Sequence, residues 1–191
     1  MEKIRENIAL FDMDGTLCDY EKSLNLGLEK LRSPDEKRYT GTVRDDAPDY
    51  IRARLDLIRS SEKWWAELPK LKLGWDVLKV AKKLGYKMMI LTQGSRSNPN
   101  AWSGKMMWIR RYLQDIDMTI TRDKSLIYGK ILVDDYPGYI ERWLSWRPRG
   151  LVIMPVNKHN KNYKHPQVIK YDGTNLGEVK KAMKRVMLHN E

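Results

Sequence analysis

Two aspartates separated by one residue follow a short apolar run near the start of the chain. Residues 8–11 lead directly into Asp12 and Asp14, and Gly15 comes next. Neighbouring carboxylates repel each other, so this arrangement costs stability unless a cation lies between them. Carboxylates that leave room for water and a phosphate are ligands that suit Mg²⁺. The spacing also suits chemistry on phosphorus, in which one carboxylate attacks and the other transfers a proton.

The same stretch has a purely structural explanation, because Asp-Gly after an apolar run is a strong hairpin-turn signal. A calcium-binding loop is excluded, since Leu17 occupies the position where that pattern requires glycine. Gly15 permits a close backbone turn, and we expect the neighbouring amides to face a bound anion. This stretch alone therefore leaves a turn and a reactive site as alternatives.

Strands that alternate with helices along most of the chain predict a three-layer, Rossmann-like α/β domain with a largely parallel sheet. One helix, predicted over 102–113, places Met106, Ile109, Tyr112 and Leu113 near one face. The predicted strands are 8–12, 86–92, 117–121, 130–135, 150–156 and 167–171, and the other predicted helices are 75–85, 138–146 and 176–188.

Residues 21–72 interrupt the alternation of strands and helices, because they contain no convincing strand. They read as two helical pieces, 22–32 and 50–68, joined by a polar loop. We therefore expect a core domain of residues 1–20 and 73–191, with residues 21–72 inserted after the first strand as a small all-helical cap.

The ends of four predicted strands carry polar residues of matching chemistry. Ligands of an open parallel sheet bind beyond the carboxyl ends of its strands, so these residues are expected to share one site. A hydroxyl and a lysine there would stabilise the charge of a transferring phosphoryl group. Taken singly, paired aspartates often only cap a helix and a loop lysine is usually solvated. The set is Asp12 and Asp14, then Thr92 and Gln93, then Lys124, then Asp134 and Asp135.

These motifs, in this order, resemble those of the haloacid dehalogenase (HAD) superfamily of phosphohydrolases. The matching pieces are DMDGTL, LT, Lys124 and ILVDD. The longer stretch TRDKSLIYGKILVDD, at 121–135, resembles the 5'(3')-deoxyribonucleotidase family, and so does KMMWIRRYL ahead of the third strand. Tyr20 stands where that family has an aromatic residue that faces the substrate.

The resemblance implies a role for each matching residue. It implies Asp12 as the nucleophile, Asp14 as the general acid and base, and phosphate binding by Thr92 and Lys124. It also implies Mg²⁺ held by the Asp12 carboxylate, the Asp14 backbone carbonyl and Asp135, with support from Asp134. Gln93 and Gly94 follow Thr92 where the family has serine and proline, so the second hydroxyl donor to the phosphate is either missing or replaced by the Gln93 amide.

Aromatic residues of the predicted cap are candidates for the substrate pocket. Trp64 and Trp65 could stack on a base, as aromatic side chains do with nucleotides. The alternative is that they seal the cap against the core, and we expect this of one of the two. Tyr20 completes the candidate pocket.

Composition favours an anionic partner. The 191 residues include 36 Lys and Arg against 25 Asp and Glu, a formal net charge of +11. Nucleotides, phosphate esters and nucleic acid suit that balance, although a solvated basic surface explains it equally well. No apolar run approaches the ~20 residues that span a bilayer, and no signal sequence is recognisable. With the single Cys18, which fits a reducing compartment, these features predict a cytoplasmic protein without membrane contact.

We expect a Mg²⁺-dependent enzyme that hydrolyses nucleoside or deoxynucleoside monophosphates to nucleoside and phosphate through an aspartyl-phosphate. The alternative is a nucleic-acid 3' or 5' end phosphatase that uses the same chemistry, motivated by the positive charge. A binding protein that has lost catalysis is a third option, which the Gln93–Gly94 departure allows. The base, the sugar, the phosphate position and the oligomeric state stay open, with a homodimer as one option.

Overall fold

The computed structural model describes residues 6–41, 43 and 47–188. The strands among them are β1 (Ile8–Phe11), β2 (Lys87–Gln93), β3 (Asp117–Thr121), β4 (Ile131–Val133), β5 (Leu151–Pro155) and β6 (Val168–Tyr171). They form one sheet in the order β3-β2-β1-β4-β5-β6, and every neighbouring pair is parallel. The predicted α/β class is confirmed. A hairpin after β1 is excluded, because both neighbours of β1 run parallel to it.

The described residues contain seven α-helices and a short 3₁₀ helix over Lys124–Leu126. The predicted helical piece 50–68 is two helices rather than one. The break falls at Ser60 and Ser61, where the Ser61 hydroxyl accepts a hydrogen bond from the Trp64 amide (3.2 Å) and caps the second helix. The helices are α1 (Tyr20–Lys30), α2 (Asp49–Arg59), α3 (Glu62–Ala66), α4 (Lys72–Leu84), α5 (Pro99–Tyr112), α6 (Pro137–Ser145) and α7 (Leu176–Leu188).

The described residues divide into two compact units. Those within Met1–Cys18, Lys70–Gln93 and Asp115–Glu191 form the sheet unit, and those within Asp19–Pro69 and Gly94–Gln114 form the helical unit. The helical unit therefore contains α5 as well as α1 to α3. The predicted domain boundaries, 1–20 with 73–191 and 21–72, stay a prediction.

The core of the sheet unit is a row of apolar residues across its central strands. Leu10 of β1 lies beside Leu132 of β4, which lies beside Val152 of β5, and all three are fully buried. Ile140 and Trp143 of α6 pack against this row. Burial of strands on both faces is typical of a parallel sheet.

The helical unit has its own core, in which apolar residues of α1 and α2 pack together. In α5 the predicted buried face is partly wrong, because Met106 is 44% exposed. The buried face centres on Gly104 and Trp108 instead. A Cβ on Gly104 would lie 2.5 Å from the Glu62 carbonyl oxygen, so glycine allows α3 to approach this side of α5. No helix in the described part of the chain is long and apolar enough to cross a membrane.

Candidate active site

The loop after β1 folds back on a single carbonyl group. The Met13 carbonyl accepts hydrogen bonds from the amides of residues 16–18, at 2.9–3.3 Å. Gly15, with φ of 76°, donates its own amide to the Cys18 carbonyl (3.0 Å). These three amides donate hydrogen bonds within the loop. The prediction that amides near Gly15 face an anion is therefore wrong for residues 16–18. The glycine is needed for the turn, because φ in this range strains other residues.

The start of α4 holds this loop in place. The Trp75 indole nitrogen and the Leu71 amide both donate to the Leu17 carbonyl, each at 2.9 Å. A Cβ on Gly74 would lie 1.9 Å from the Thr16 carbonyl oxygen, so no side chain fits there without displacing backbone. The position of the loop after β1 is therefore fixed by residues about sixty positions further along the chain.

Three carboxylates meet where β1 and β4 end side by side. Phe11 pairs with Val133, so the residues that follow them lie at the same edge of the sheet. Carboxylate oxygens of Asp12, Asp134 and Asp135 all lie within 4.8 Å of one another. Three such oxygens can share one divalent cation.

Asp14 lies beside this group but supplies no carboxylate to it. Its Oδ1 accepts the Cys18 thiol at 3.8 Å, and the residue is half-buried. This arrangement is compatible with the implied roles, in which Asp14 offers a metal only its backbone carbonyl and keeps its carboxyl group for proton transfer.

Lys124 is buried within the carboxylate group, so the reading of a solvated loop lysine is wrong. Its side chain is 2% exposed, and its Nζ lies 2.7 Å from Asp12 Oδ1 and 2.7 Å from Asp134 Oδ2. The other oxygen of Asp134 accepts the Tyr136 amide (2.9 Å), which closes the turn ahead of α6. Asp134 thus accepts a hydrogen bond in the turn before α6 and also forms an ion pair with Lys124. We call Asp12, Lys124, Asp134 and Asp135 the carboxylate cluster.

One lysine does not balance the negative charge of this cluster. Burial raises the pKa of Asp12, Lys124 opposes that change, and the charges of Asp134 and Asp14 add to it, giving a pKa of about 7. Burial acts to lower the pKa of Lys124, but Asp12 and Asp134 more than offset it and hold this pKa above its usual range. The oxygen donors and the unbalanced charge fit a divalent cation such as Mg²⁺.

Asp135 is held by neutral side chains that the sequence did not reveal as part of the site. Asn157 Nδ2 donates to Asp135 Oδ2 (2.8 Å), and the Thr16 hydroxyl lies 3.4 Å from Oδ1. The fully buried Asn160 donates from Nδ2 to the Asp135 backbone carbonyl (3.0 Å). Both asparagines follow β5, the neighbour of β4. A search of the fifth strand end would have found them.

The two residues predicted at the end of β2 lie at the same edge of the sheet. Ile90 pairs with Phe11, and the fully buried Thr92 stands two residues further on. Gln93 is the last residue of β2, and its Oε1 accepts a hydrogen bond from the Tyr139 hydroxyl. The ring centroid of Tyr139 lies 4.7 Å from Lys124 Nζ. The sequence predicts Tyr139 only as part of a helix and does not indicate that it belongs to this site.

The three aromatic residues proposed for a substrate pocket form one cluster within the helical unit. Ring centroids of Tyr20, Trp64 and Trp65 are 4.9–5.7 Å apart in all three pairs. Trp65 is 6% exposed and donates its indole N–H to the Arg59 carbonyl (2.7 Å), while Arg59 donates from Nε to the Tyr20 hydroxyl (2.8 Å). Trp65 thus packs within its own unit, and the pocket role of the trio stays a prediction.

Known proteins are similar to most of this chain. The family model described as 5' nucleotidase, deoxy (pyrimidine), cytosolic type C protein matches residues 6–168. A candidate 5'(3')-deoxyribonucleotidase of Bordetella pertussis is 27% identical over 139 residues, 68% of this chain and 74% of that protein. A candidate 5'(3')-deoxyribonucleotidase of Vibrio phage KVP40 is 24% identical over 137 residues, 70% of this chain and 69% of that protein.

Solved structures show the same fold. A candidate HAD-like hydrolase of Burkholderia xenovorans superposes with a TM-score of 0.55 at 16% identity, covering 96% of this chain and 100% of that one. The candidate HAD hydrolase YfnB of Bacillus subtilis, in a structure with bound magnesium, gives a TM-score of 0.55 at 12% identity, covering 94% of this chain and 99% of that one.

Proposed function

We propose that this protein, which belongs to the 5' nucleotidase, deoxy (pyrimidine), cytosolic type C protein family, is a Mg²⁺-dependent phosphomonoesterase of nucleoside monophosphates. Its membership makes it a phosphatase-type hydrolase of the HAD superfamily. Deoxynucleoside monophosphates are the favoured substrates, because the relatives' names specify them. The observation that carries the proposal is the meeting of Asp12, Asp134 and Asp135 within 4.8 Å, with Lys124 bonded to Asp12.

In the first half of the proposed reaction, a carboxylate oxygen of Asp12 attacks phosphorus and forms an aspartyl-phosphate. The bond between phosphorus and the ester oxygen breaks, and that oxygen leaves with the electron pair. Asp14, two residues beyond Asp12, gives it a proton, so that the nucleoside departs as an alcohol. The half-buried position of Asp14 at the loop after β1 supports this role.

In the second half, Asp14 takes a proton from a water molecule as that water attacks phosphorus. The bond between phosphorus and the Asp12 oxygen breaks, which releases phosphate and restores the Asp12 carboxylate. Asp14 is then protonated for the next cycle, so no further reactant is required.

Magnesium would be held by the carboxylates of Asp12 and Asp135 and by the Asp14 backbone carbonyl. Bound there, the ion would supply positive charge that draws the phosphate against the carboxylates and lowers the barrier to attack. Asp134 has a different proposed task. Its two oxygens accept from Lys124 and from the Tyr136 amide, so it holds Lys124 beside Asp12.

The remaining charge of the phosphoryl group requires hydrogen-bond donors. Lys124 forms an ion pair with Asp12, the proposed nucleophile, and so places an ammonium group beside the phosphoryl group. Thr92 and Gln93 are the proposed donors from the end of β2.

The test is phosphate release from a panel of ribonucleoside and deoxyribonucleoside monophosphates, with 5' and 3' phosphates, in the presence of Mg²⁺. We expect turnover of deoxynucleoside monophosphates that EDTA abolishes and added Mg²⁺ restores. Asp12→Asn keeps the side-chain shape but removes the nucleophile, so kcat should fall at least about 10³-fold. Activity of Asp12→Asn at the wild-type rate would contradict the mechanism.

A nucleic-acid end phosphatase is the second candidate, and one segment favours it. Residues 142–171 contain no Asp or Glu, and the segment meets the carboxylate cluster where Asn157 donates to Asp135. At least three of its cations contact other groups of the protein: Arg142 pairs with Asp123, Arg147 donates to backbone carbonyls, and Lys170 donates to the Lys161 carbonyl. The small-molecule substrate is therefore preferred. The seven cations are Arg142, Arg147, Arg149, Lys158, Lys161, Lys164 and Lys170.

Salt dependence separates the two candidates. A strand binder that contacts several phosphates loses affinity steeply between about 50 and 200 mM salt, because it releases counterions, whereas a mononucleotide enzyme loses little. Hydrolysis of a phosphorylated oligonucleotide with a KM that rises steeply with salt would favour the end phosphatase.

A further inference from the structure

Tyr139 touches two of the groups proposed to bind phosphate, and these groups come from different strand ends. It lies in the first turn of α6, four residues after Asp135, and is half-buried. Its ring faces the ammonium of Lys124 at 4.7 Å, and its hydroxyl donates to Oε1 of Gln93. Neither contact is a recognisable feature of the sequence motifs.

The ring contributes to the placement of Lys124. Lys124 Nζ forms ion pairs with carboxylate oxygens of Asp12 and Asp134, each at 2.7 Å. A cation within about 6 Å of an aromatic centroid is attracted to the ring face, most strongly where water is excluded. Tyr139 therefore adds a third contact to a buried ammonium and limits its movement away from Asp12.

The hydroxyl determines which end of the Gln93 amide faces Tyr139. The acceptor oxygen and donor nitrogen of the glutamine amide lie in one plane on opposite sides of the Cγ–Cδ bond, and half a turn about that bond exchanges them. In this structure the Tyr139 hydroxyl donates to Oε1, and in that orientation of the amide Nε2 points away from Tyr139. The unprotonated oxygens of a phosphate accept hydrogen bonds, so this orientation is the one that offers them a donor.

The Tyr139 hydroxyl keeps its proton over the working range of pH. Burial raises its pKa to about 12, with opposing contributions from neighbouring charges. The hydroxyl thus keeps the proton that it donates to Gln93 throughout the neutral and mildly alkaline range. Its effect on phosphate binding should not vary between about pH 6 and pH 9, well below that pKa.

We propose that Tyr139 is a positioning residue for phosphate binding, which orients the Gln93 amide through its hydroxyl and holds Lys124 through its ring. The inference rests on the proposed function, since it takes Gln93 and Lys124 as phosphate ligands.

Tyr139→Phe separates the two contacts, because it keeps the ring and removes the hydroxyl. We expect the KM for a nucleoside monophosphate and the inhibition constant of inorganic phosphate to rise together, about threefold to tenfold, the range for loss of one neutral hydrogen bond. kcat should change less than about twofold, since Lys124 keeps its ring contact. Tyr139→Leu removes both contacts and should lower kcat as well.

A double-mutant cycle tests whether the hydroxyl acts through Gln93. In a Gln93→Ala background, Tyr139→Phe should raise KM no further. Tyr128→Phe is the matched control, since it removes a hydroxyl from an exposed tyrosine of the same unit and should leave KM unchanged. A purely structural role would lower Tm without producing this coupling.

The outcomes distinguish this inference from the proposed function. A folded Tyr139→Phe variant with wild-type KM and phosphate inhibition constant overturns the inference while the enzyme's activity stands. Equal increases in the two backgrounds also overturn it. A wild-type protein that turns over no monophosphate overturns the proposed function, and the inference is then judged by the phosphate-dependent rise in Tm of wild type against Tyr139→Phe. Absence of any such rise in the wild type overturns both.

Discussion

Two ion-pair clusters in this protein have the same short distances and opposite electrostatics. In the carboxylate cluster, Lys124 Nζ lies 2.7 Å from Asp12 and from Asp134, and the three side chains are at most 8% exposed. In the helical unit, Arg54 donates to both carboxylate oxygens of Glu36, at 2.7 and 2.8 Å, and these side chains are 26% and 23% exposed. Yet the pKa of Asp12 is raised to about 7, whereas that of Glu36 is lowered, chiefly by its hydrogen bond from Arg54.

The difference lies in burial and in the balance of charges, not in distance. Around Glu36 and Glu29 there are three guanidinium groups, so each carboxylate gains from ionising. Lys124 is a single ammonium shared by two buried carboxylates, Asp12 and Asp134. Burial and the negative charges of Asp134 and Asp14 therefore make ionising Asp12 costly. The first arrangement is stable as it stands. The second lacks positive charge, and a bound divalent cation would supply it. The arginines are Arg32, Arg38 and Arg54, and with Glu29 and Glu36 they form the arginine–glutamate cluster.

Removing the cation from each cluster should give the largest contrast. Lys124→Met leaves Asp12 and Asp134 buried without their partner, which should cost about 3–5 kcal/mol of unfolding free energy. Arg54→Met leaves Glu36 near solvent, and this variant should melt close to the wild type. Denaturant unfolding in EDTA measures both. Equal losses in the two variants would show that the burial difference has no energetic consequence.

A methyl group at Gly15 should disturb the carboxylate cluster directly. Its Cβ would lie 2.6 Å from Asp135 Oδ2, and φ is 76°. We expect Gly15→Ala to lose about 10- to 100-fold in Mg²⁺ affinity, because Asp135 must move. Gly85 is the matched control, with φ of 81° and open space within 4 Å of the point that a Cβ would occupy. Gly85→Ala should show the backbone strain alone, as a lower Tm with unchanged Mg²⁺ affinity by calorimetry.

Mg²⁺ binding by the carboxylate cluster should also depend on the neutral residues that hold Asp135. This dependence would be a further difference from the arginine–glutamate cluster. Asn157→Ala removes the 2.8 Å hydrogen bond to Asp135 Oδ2 and should weaken Mg²⁺ binding about tenfold, at the lower end for residues that orient metal ligands. Asn162→Ala, at an exposed position of the same loop, should leave it unchanged. Identical Mg²⁺ titrations for the two variants would remove Asn157 from the site.

The pH dependence of stability should differ in sign between the clusters, with smaller effects. Asp12 has a higher pKa folded than unfolded, so in EDTA it destabilises the protein increasingly as pH rises from 3.8 to about 7. Asp12→Asn should therefore gain stability over the wild type across this interval. Glu36 has a lowered pKa, so it stabilises the fold above 4.5 and loses that contribution as pH falls.

Glu36→Gln should accordingly be slightly less stable than the wild type at neutral pH, with the difference vanishing in acid. Unfolding curves between pH 3 and pH 8 measure both variants. Slopes of the same sign for Asp12→Asn and Glu36→Gln would contradict the contrast between the clusters.

The sequence predicted the strands and the charged residues because both leave local signals. Apolar runs that end in Asp12, Thr92 and Asp134 mark buried parallel strands, and the rule that ligands bind at their carboxyl ends brings these residues together. Lys124 was predicted only as a member of that set. Its burial between two aspartates depends on packing that no local pattern contains.

The residues that were missed depend on topology. Asn157 supports Asp135 only because β5 lies beside β4, and Tyr139 reaches Gln93 only because the sheet order brings the start of α6 close to the end of β2. The exposed Met106 has the same explanation, since the rotation of α5 follows from the close approach allowed by Gly104. Contacts between distant segments decide these features, and periodicity does not encode them.

The most direct test of the shared cation site is a crystal structure of the protein grown with MgCl₂. We predict one Mg²⁺ with carboxylate oxygens of both Asp12 and Asp135 at about 2.1 Å, the usual distance for this ion. Side chains of Asp12 and Asp135 that coordinate no common ion at saturating Mg²⁺ would contradict the account.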